Sequence, residues 1–301
     1  MNFQKIFVLG AGAIGSSYGA LLSRKNDVTL IGRKNHIEAI NTKGLEVSGD
    51  IQERFFIKAQ TKIKETSSDA LILLTTKAYN SAKAFTEIKN RLKDKTTILI
   101  LQNGLGNKGL VKESVGDKIE VLRGLVTMGA ELSGPGKITF WNGETILEQT
   151  EISTKISELF NESGLKTRVS NEFERELWSK LIVNCVVNPL TAILRARDNE
   201  IVVDALKEVR HGIIEECVRV GRAEGMVFEP DLKESVDQKI LRYKNFSSMR
   251  QDLMKGKRTE IDFLNGKIVE LGRKRQIPTP INKTLVSLIK TLEAKQWNSM
   301  N

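Results

Sequence analysis

The sequence contains little cysteine or histidine. Its 301 residues include two cysteines, Cys185 and Cys217, and two histidines, His36 and His211. The cysteines are far apart in apolar surroundings, so they predict neither a disulfide framework nor a metal site. The histidines have no ligand pattern around them. We therefore expect a reduced, cytoplasmic protein that binds no metal.

Long apolar runs and basic clusters are also missing. No apolar stretch reaches about 18 residues, so no membrane span is expected. The chain has 47 basic and 37 acidic residues and a net charge of +10, which by itself would suit a nucleic-acid partner. However, the lysines are interleaved with glutamates, and no basic cluster contains aromatic residues that stack on bases. We expect no nucleic-acid and no membrane partner, and we assign the local basic sites to an anionic cofactor and an acidic substrate.

What is present begins with an apolar run that leads into a glycine-rich turn. Lys5–Leu9 predicts a buried parallel strand, and the GxGxxG pattern follows before a helical stretch to about Arg24. Such a turn offers backbone amides and a helix N-terminus to a pyrophosphate. We therefore predict a dinucleotide site. Its turn residues are Gly10, Ala11, Gly12, Ala13, Ile14 and Gly15.

The second predicted strand, Asp27–Ile31, ends without an acidic residue. In NAD-binding versions of this unit, a carboxylate at that point bonds the ribose 2′-hydroxyl. Here the position holds Gly32, followed by Arg33 and Lys34. A guanidinium grips phosphate through paired hydrogen bonds, so Arg33 favours a 2′-phosphate and NADP(H) as the cofactor. Alternatively, Arg33 and Lys34 are solvated charges that open the next helix.

Two later strands end at polar residues. The run Ala70–Thr76 is followed by Lys77, and Thr96–Leu101 is followed, after Gln102, by Asn103. Ligands of open α/β sheets bind beyond the carboxyl ends of strands, which places Lys77 and Asn103 near cofactor or substrate. Alternatively, they are an ordinary helix-opening lysine and a turn asparagine.

The hydrophobic pattern changes near residue 171. Upstream, the remaining segments predict a helix at 35–43, two short strands within 45–60, strands at 118–132 and 137–147, a helix at 152–162 and a strand at 165–169. Downstream, helical periodicity predicts helices at 173–194, 200–225, 231–243, 258–275 and 280–295. The predicted fold is an α/β Rossmann-type N-terminal domain, residues 1–171, followed by an all-α C-terminal domain, residues 172–301.

The first helix of the second half carries a polar stripe. Lys180, Asn184 and Asn188 are spaced four apart in an otherwise apolar stretch, so they share one helix face. They are either satisfied core amides with a snorkelling lysine or a wall that faces a ligand. Pro189 removes a backbone donor and is expected to kink or end the helix.

Two further polar segments lie in the helical half. NFSSM, residues 245–249, reads as a loop before Arg250. Glu260 and Asp262 lie two apart, so they cannot share one helix face. We expect one of these carboxylates to face a cleft and the other to face solvent or a cap.

These segments together resemble one family, the ketopantoate reductases. The resemblance rests on GAGAIG, TTKAYN, QNGLG, WSKLIVNCVVNPLTA, NFSSMRQD and GKRTEIDFLNG, in this order across nearly the whole chain. The last three motifs are the most specific. One segment departs from the family pattern: where an Asn-Gly-Glu sequence is common, this chain has Asp198, Asn199 and Glu200.

The resemblance implies a role for each matching residue. Lys180 matches the catalytic lysine and Glu260 the acidic active-site residue, which also lies on the cofactor side. The implied substrate-side residues are Asn184, Asn188, Asn245, Ser248 and Asn103. The implied cofactor-side residues are the glycine turn, Arg33, Lys77 and Asn103.

The implied activity is NADPH-dependent reduction of 2-dehydropantoate, a 2-keto acid, to pantoate in coenzyme A biosynthesis. A related NADP-dependent hydroxy-acid dehydrogenase and a non-catalytic NADP-sensing module are the alternatives. The sequence leaves the oligomeric state open, with a homodimer as one option.

Overall fold

The computed structural model describes residues 3–299, which fold into two units. The first unit contains the described residues up to 102 together with 106–173, and the second combines 103–105 with the residues from 174 onward. The first is an α/β unit and the second is helical, so the predicted fold class is confirmed. The sequence did not predict that residues 103–105 belong with the helical unit.

The α/β unit is built on two sheets. Its strands are β1 Lys5–Leu9, β2 Val28–Ile31, β3 Leu45–Gly49, β4 Glu53–Phe55, β5 Lys58–Gln60, β6 Ala70–Leu74, β7 Thr97–Ile100, β8 Glu120–Val126, β9 Gly129–Gly134, β10 Lys137–Trp141, β11 Thr145–Glu148 and β12 Thr167–Ser170. The eight-stranded sheet has the order β12-β11-β8-β7-β6-β1-β2-β5, and the four-stranded sheet has the order β4-β3-β10-β9. The helices are α1 Ala13–Leu22, α2 Lys34–Lys43, α3 Ser81–Ile88, α4 Asn107–Val115 and α5 Ser153–Glu162.

The central strands are apolar throughout because both faces of the large sheet are covered. In β1, Ile6 and Val8 pack into one hydrophobic core and Phe7 and Leu9 into another. β1 pairs in parallel with β2 and β6. This is the arrangement in which continuous apolar runs, rather than alternating ones, form strands.

Three predicted strand segments divide further in the structure. The segment 45–60 forms three strands rather than two, and 118–132 and 137–147 each form two. The reason for the last two is a change of sheet, since β8 and β11 pair in the large sheet whereas β9 and β10 pair in the small one. Gly143 lies in the connection from β10 to β11, and Met128 lies in the connection from β8 to β9. A Cβ at Gly143 would lie 2.3 Å from the backbone nitrogen of Met128. The glycine therefore permits the close passage of the two connections.

The helical unit differs from its prediction mainly at helix starts. Its helices are α6 Phe173–Leu194, α7 Lys207–Ala223, α8 Leu232–Leu241, α9 Ser248–Met254, α10 Asn265–Lys274 and α11 Pro280–Ser299. Short 3₁₀ turns at Asp204–Leu206 and Ile261–Phe263 lie in stretches that were predicted as continuous helix, and a third turn, Asp198–Ile201, overlaps the predicted start of the helix at 200–225. The predicted loop at 245–249 ends earlier, because Ser247 caps α9 by accepting a hydrogen bond from the Arg250 backbone.

The long helix α6 bears on two expectations. An 18-residue window of α6 has a mean hydropathy of 1.5, so by length and composition it could cross a membrane, although polar residues interrupt it and it holds no run of about 18 apolar residues. Of that window, 72% is buried inside the protein, as in the core helix of a soluble protein. The helix also continues through Pro189 to Leu194, so it does not end at the proline.

Candidate active site

The glycine turn after β1 combines two glycines that packing requires with one that it does not. Gly10 has φ +121°, and a Cβ there would lie 2.4 Å from the Thr76 nitrogen. A Cβ at Gly15 would lie 2.2 Å from the Gly10 carbonyl oxygen. At Gly12, the N-cap of α1, the nearest atom to a Cβ is 4.0 Å away. The space over Gly12 is therefore open to a ligand at the N-terminus of α1.

The strand order places this turn at a topological switch point. β1 lies between β2 and β6. After β1 the chain first adds β2 on one side, and it adds β6 on the other side only later. Arg33 stands at the N-cap of α2, directly after β2, with an exposed side chain. Lys77 stands at the start of the 3₁₀ turn that follows β6. The carboxyl ends of these parallel strands share one sheet edge, where ligands of such folds bind.

The position that an acidic residue would occupy in an NAD site has no room for a side chain. A Cβ at Gly32 would lie 2.7 Å from the Cβ of Ala11 and 3.2 Å from Ile37. The packing around the turn therefore leaves no room for a carboxylate side chain at residue 32. Ala13 and Ile14 lie in the first turn of α1.

In the helical unit, α6 carries the polar stripe. Lys180 and Asn184 are partly exposed and Asn188 is buried, while the residues between them belong to the core. The Lys180 ammonium donates a hydrogen bond of 3.0 Å to the side-chain oxygen of Asn103. Two predicted site residues that are far apart in sequence are therefore in direct contact.

The segment 103–105 also lies against the turn that carries Glu260. The Leu105 backbone N–H donates to the Phe263 carbonyl at 3.1 Å. Gly104 has φ +84°, and a Cβ there would be 2.3 Å from the same carbonyl oxygen. Only glycine allows this approach, and the same segment brings Asn103 to Lys180.

The structure also distinguishes the two neighbouring carboxylates. Glu260 is buried, with 7% of its surface exposed. Asp262 instead pairs with Arg258 at 3.2 Å and with Lys290 at 2.6 Å. Asp262 therefore belongs to surface ion pairs, and Glu260 is the buried carboxylate of the pair.

The end of α6 is tied to the start of α9. The hydroxyl groups of Thr191 and Ser247 are 2.7 Å apart, and Ser247 also caps α9. Thr191 lies three residues after Asn188 on α6. Its contact with Ser247 therefore holds Ser248, the first residue of α9, near the end of the polar stripe. The Ser248 side chain is exposed.

Asn245 has a partner that sequence reasoning missed. Its side-chain nitrogen donates to Asp198 at 3.0 Å, and the Asp198 backbone N–H donates to the Asn245 carbonyl at 3.1 Å. Burial raises the pKa of Asp198 to about 7, against the opposing effects of the Ser247 backbone, the Arg250 charge and the Asn245 amide. The only sequence signal for Asp198 was the departure from the Asn-Gly-Glu pattern. Asn199 is turned inward, with an amide oxygen that has no hydrogen-bond partner among the described residues.

Taken together, the helical unit presents one ammonium, a row of side-chain amides and a hydroxyl. These groups can donate a proton and hold carboxylate and hydroxyl oxygens. Within residues 3–299, no group of three or more His, Cys, Asp or Glu side chains could hold a metal ion.

Known proteins match this chain over nearly its full length. The family model for ketopantoate reductase PanE/ApbA matches residues 6–151, and the model for its C-terminal part matches residues 172–293. A 2-dehydropantoate 2-reductase of Pyrococcus horikoshii is 38% identical, with 97% of this chain and 98% of that protein covered.

Solved structures agree with the sequence matches. A PanE/ApbA family ketopantoate reductase from Ralstonia eutropha JMP134 superposes with a TM-score of 0.91 at 32% identity, covering 97% of this chain and 99% of that one. A D-mandelate dehydrogenase with NADH and anilino(oxo)acetate has a TM-score of 0.89 at 26% identity, with the same coverage. Because two family models and full-length relatives agree, this chain belongs to the ketopantoate reductase family.

Proposed function

We propose that this protein reduces 2-dehydropantoate to pantoate with NADPH as the hydride donor and Lys180 as the proton donor. Membership in the family makes the chain an oxidoreductase of this keto acid and a nicotinamide-dependent enzyme. NADPH in particular, the role of each residue and a cytoplasmic location are our proposals. The observation that carries the assignment of roles is the contact between Lys180 and Asn103 at one end of the amide stripe.

The chemistry assigned to Lys180 follows from the charge that develops during reduction. The nicotinamide, when bound, supplies a hydride from C4 to the C2 carbonyl carbon of the substrate. Negative charge then grows on the carbonyl oxygen, where an ammonium both stabilises it and delivers a proton to form the product hydroxyl. The hydrogen bond to Asn103 orients the Lys180 ammonium for this role. A solvent proton then returns the neutral amine to its charged form.

The remaining groups of the helical unit suit a small hydroxylated acid. We assign Asn184, Asn188, Asn245 and Ser248 to the carboxylate and the hydroxyl of the substrate. Amides and hydroxyls grip such groups directionally without adding charge. We assign Glu260 to the active site as its buried acidic group, on the cofactor side.

The cofactor assignment is supported by the α/β unit. Open space over Gly12 suits the pyrophosphate of a dinucleotide. The absence of room for a carboxylate at Gly32 and the exposed Arg33 favour a 2′-phosphate on the ribose. Lys77 and Asn103 complete the assigned cofactor-side residues. On this proposal, residues 1–171 form the NADP-binding domain and 172–301 the substrate domain.

A second candidate function is favoured by one similar structure. The D-mandelate dehydrogenase with NADH and anilino(oxo)acetate superposes over 97% of this chain. A related dehydrogenase of another hydroxy acid, linked to NADP or to NAD, would share this fold. A module that binds NADP without catalysis is the third alternative.

One assay distinguishes these functions. NADPH and NADH oxidation should be followed with 2-dehydropantoate and phenylglyoxylate, and NADP reduction with 3-hydroxy acids. We expect the highest kcat/KM with 2-dehydropantoate and NADPH. Preference for phenylglyoxylate with NADH, or for a 3-hydroxy acid, would support a dehydrogenase of another class. Tight NADPH binding without turnover would support the sensing module.

A further inference from the structure

Asp198 and Asn245 make two hydrogen bonds with each other. The Asn245 side-chain nitrogen donates to Oδ2 of Asp198, and the Asp198 backbone N–H donates to the Asn245 carbonyl. Asp198 is 3% exposed, whereas Asn245 is exposed. The pair thus joins a buried carboxylate to an amide that can reach a ligand.

The charge state of Asp198 decides how the Asn245 amide is oriented. An ionised carboxylate only accepts hydrogen bonds, so the amide must turn its nitrogen toward Asp198. Its oxygen then points away from the carboxylate. The side-chain hydrogen bond of Asn245 within the described residues uses its nitrogen, so the oxygen is available to a donor on a ligand. A hydroxyl is such a donor, whereas a carboxylate is not.

We propose that Asp198 is a positioning residue that holds the Asn245 amide with its oxygen toward the substrate, where it accepts a hydrogen bond from the 4-hydroxyl of 2-dehydropantoate. The inference rests on the proposed function and deepens it, because it makes Asn245 the group that recognises the hydroxyl. Residue 198 is an aspartate in this chain, whereas the first residue of the family's common Asn-Gly-Glu pattern is an asparagine. The two side chains differ in what they offer to Asn245. An asparagine there could present either nitrogen or oxygen to Asn245, whereas an aspartate presents oxygen alone.

The surroundings of Asp198 make this orientation sensitive to pH. Burial raises the pKa of Asp198 to about 7, and the Arg250 charge and the Asn245 amide oppose that shift. Arg250 and Tyr243 interact electrostatically with Asp198. The other charged and titratable groups of its own and neighbouring elements are Arg197 and Glu200 on its own turn, Lys244 on the following loop, Asp252 on α9, and Lys233, Glu234, Asp237 and Lys239 on α8. Below that pH the carboxyl acquires an O–H that can donate, and the amide is free to invert.

The first test removes the charge while keeping the shape. Asp198→Asn should raise the KM for 2-dehydropantoate about three- to tenfold, the scale of one hydrogen bond, with a smaller change in kcat and in the KM for NADPH. Asp204→Asn is the matched control, because Asp204 is an exposed carboxylate on the neighbouring 3₁₀ turn. An unchanged KM for 2-dehydropantoate in Asp198→Asn would overturn the proposal.

The second test uses a substrate without the hydroxyl. 3,3-Dimethyl-2-oxobutanoate is 2-dehydropantoate that lacks the 4-hydroxyl, so its kcat/KM should depend little on Asp198. The wild-type preference for the hydroxylated acid should shrink in Asp198→Asn and, to the same extent, in Asn245→Ala. A preference that survives in both variants would refute hydroxyl recognition by Asn245. The Asn245→Ala arm also keeps the test decisive if Asp198→Asn fails to fold.

The pH profile separates positioning from a structural role. In the wild type, the KM for 2-dehydropantoate should rise as pH falls below about 7, while Asp198→Asn should lack that rise and keep its melting temperature. Parallel profiles in the two proteins would reject the proposal. A wild type that does not reduce 2-dehydropantoate at all would instead reject the proposed function, so the two failures are distinguishable.

Discussion

The side-chain amide of Asn265 donates a hydrogen bond of 2.9 Å to the backbone carbonyl of Cys185. Cys185 lies four residues before Pro189, whose nitrogen carries no hydrogen to bond that carbonyl. Asn265 is fully buried and supplies the missing donor from α10. The helix α6 therefore continues past its proline, and the carbonyl that Pro189 leaves free is satisfied within the protein rather than offered to a ligand.

The first prediction concerns this replacement donor. Asn265→Ala should lower the free energy of unfolding by about 1–3 kcal/mol, because it leaves a buried carbonyl without a partner. Pro189→Ala restores a backbone N–H, so the same Asn265→Ala change should cost less in that background. Urea unfolding of the four proteins measures both costs. Equal costs in the two backgrounds would show that Asn265 acts elsewhere, for example through its bond to Asn282.

The second prediction concerns Lys180 as the proton donor. Lys180→Ala should remain folded, bind NADPH and lose roughly 10²–10⁴-fold in kcat, with a parallel loss in kcat/KM. Lys180→Arg should recover little, because a guanidinium is a poor proton donor of different shape. Lys274→Ala, which removes an exposed lysine of α10, is the control for loss of charge. Near-normal turnover in Lys180→Ala, with a lowered melting temperature, would make the lysine a structural residue.

The third prediction concerns cofactor choice. Arg33→Ala should weaken NADPH binding by about 1–3 kcal/mol, the value of one hydrogen bond to a charged group, and leave NADH binding almost unchanged. Lys34→Ala tests the neighbouring charge, whose side chain is 78% exposed. Fluorescence titration with both cofactors measures the effect. Equal losses for NADPH and NADH would remove Arg33 from the 2′-phosphate.

The fourth prediction concerns pH and His36. The Gly136 backbone N–H donates to Nδ1 of His36 at 3.0 Å, so Nε2 carries the proton and faces the Ser16 hydroxyl at 3.1 Å. Burial lowers the pKa of His36 below its usual value. As pH falls through the unfolded pKa of about 6.5, the unfolded state therefore binds the proton first, and stability is lost. Above that pH the contribution is fully present.

His36→Asn provides the comparison, since an asparagine oxygen can accept the same bond from Gly136 without titrating. The wild type should lose more unfolding free energy than His36→Asn between pH 8 and pH 5.5, as measured by urea unfolding. Other groups titrate in both proteins and cancel in the difference. Parallel losses would mean that His36 keeps its neutral-state contacts when it is protonated.

The sequence by itself determined the elements whose signals are local. β1, the glycine turn and α1 were predictable because a strand, a tight turn and a helix start each require particular residues within a few positions. The polar stripe of α6 was predictable for the same reason, since residues spaced four apart share a helix face. The family resemblance and the fold class follow from these segments in their order.

Tertiary structure decided whatever depends on residues distant in sequence. Only the folded helical unit shows that segment 103–105 belongs to it, because Gly104 fits against Phe263 through a close backbone approach. Only folding pairs Asp198 with Asn245, and Cys185 with Asn265. No periodicity encodes such contacts, because a buried donor or acceptor needs a partner but places no limit on where in the chain that partner lies.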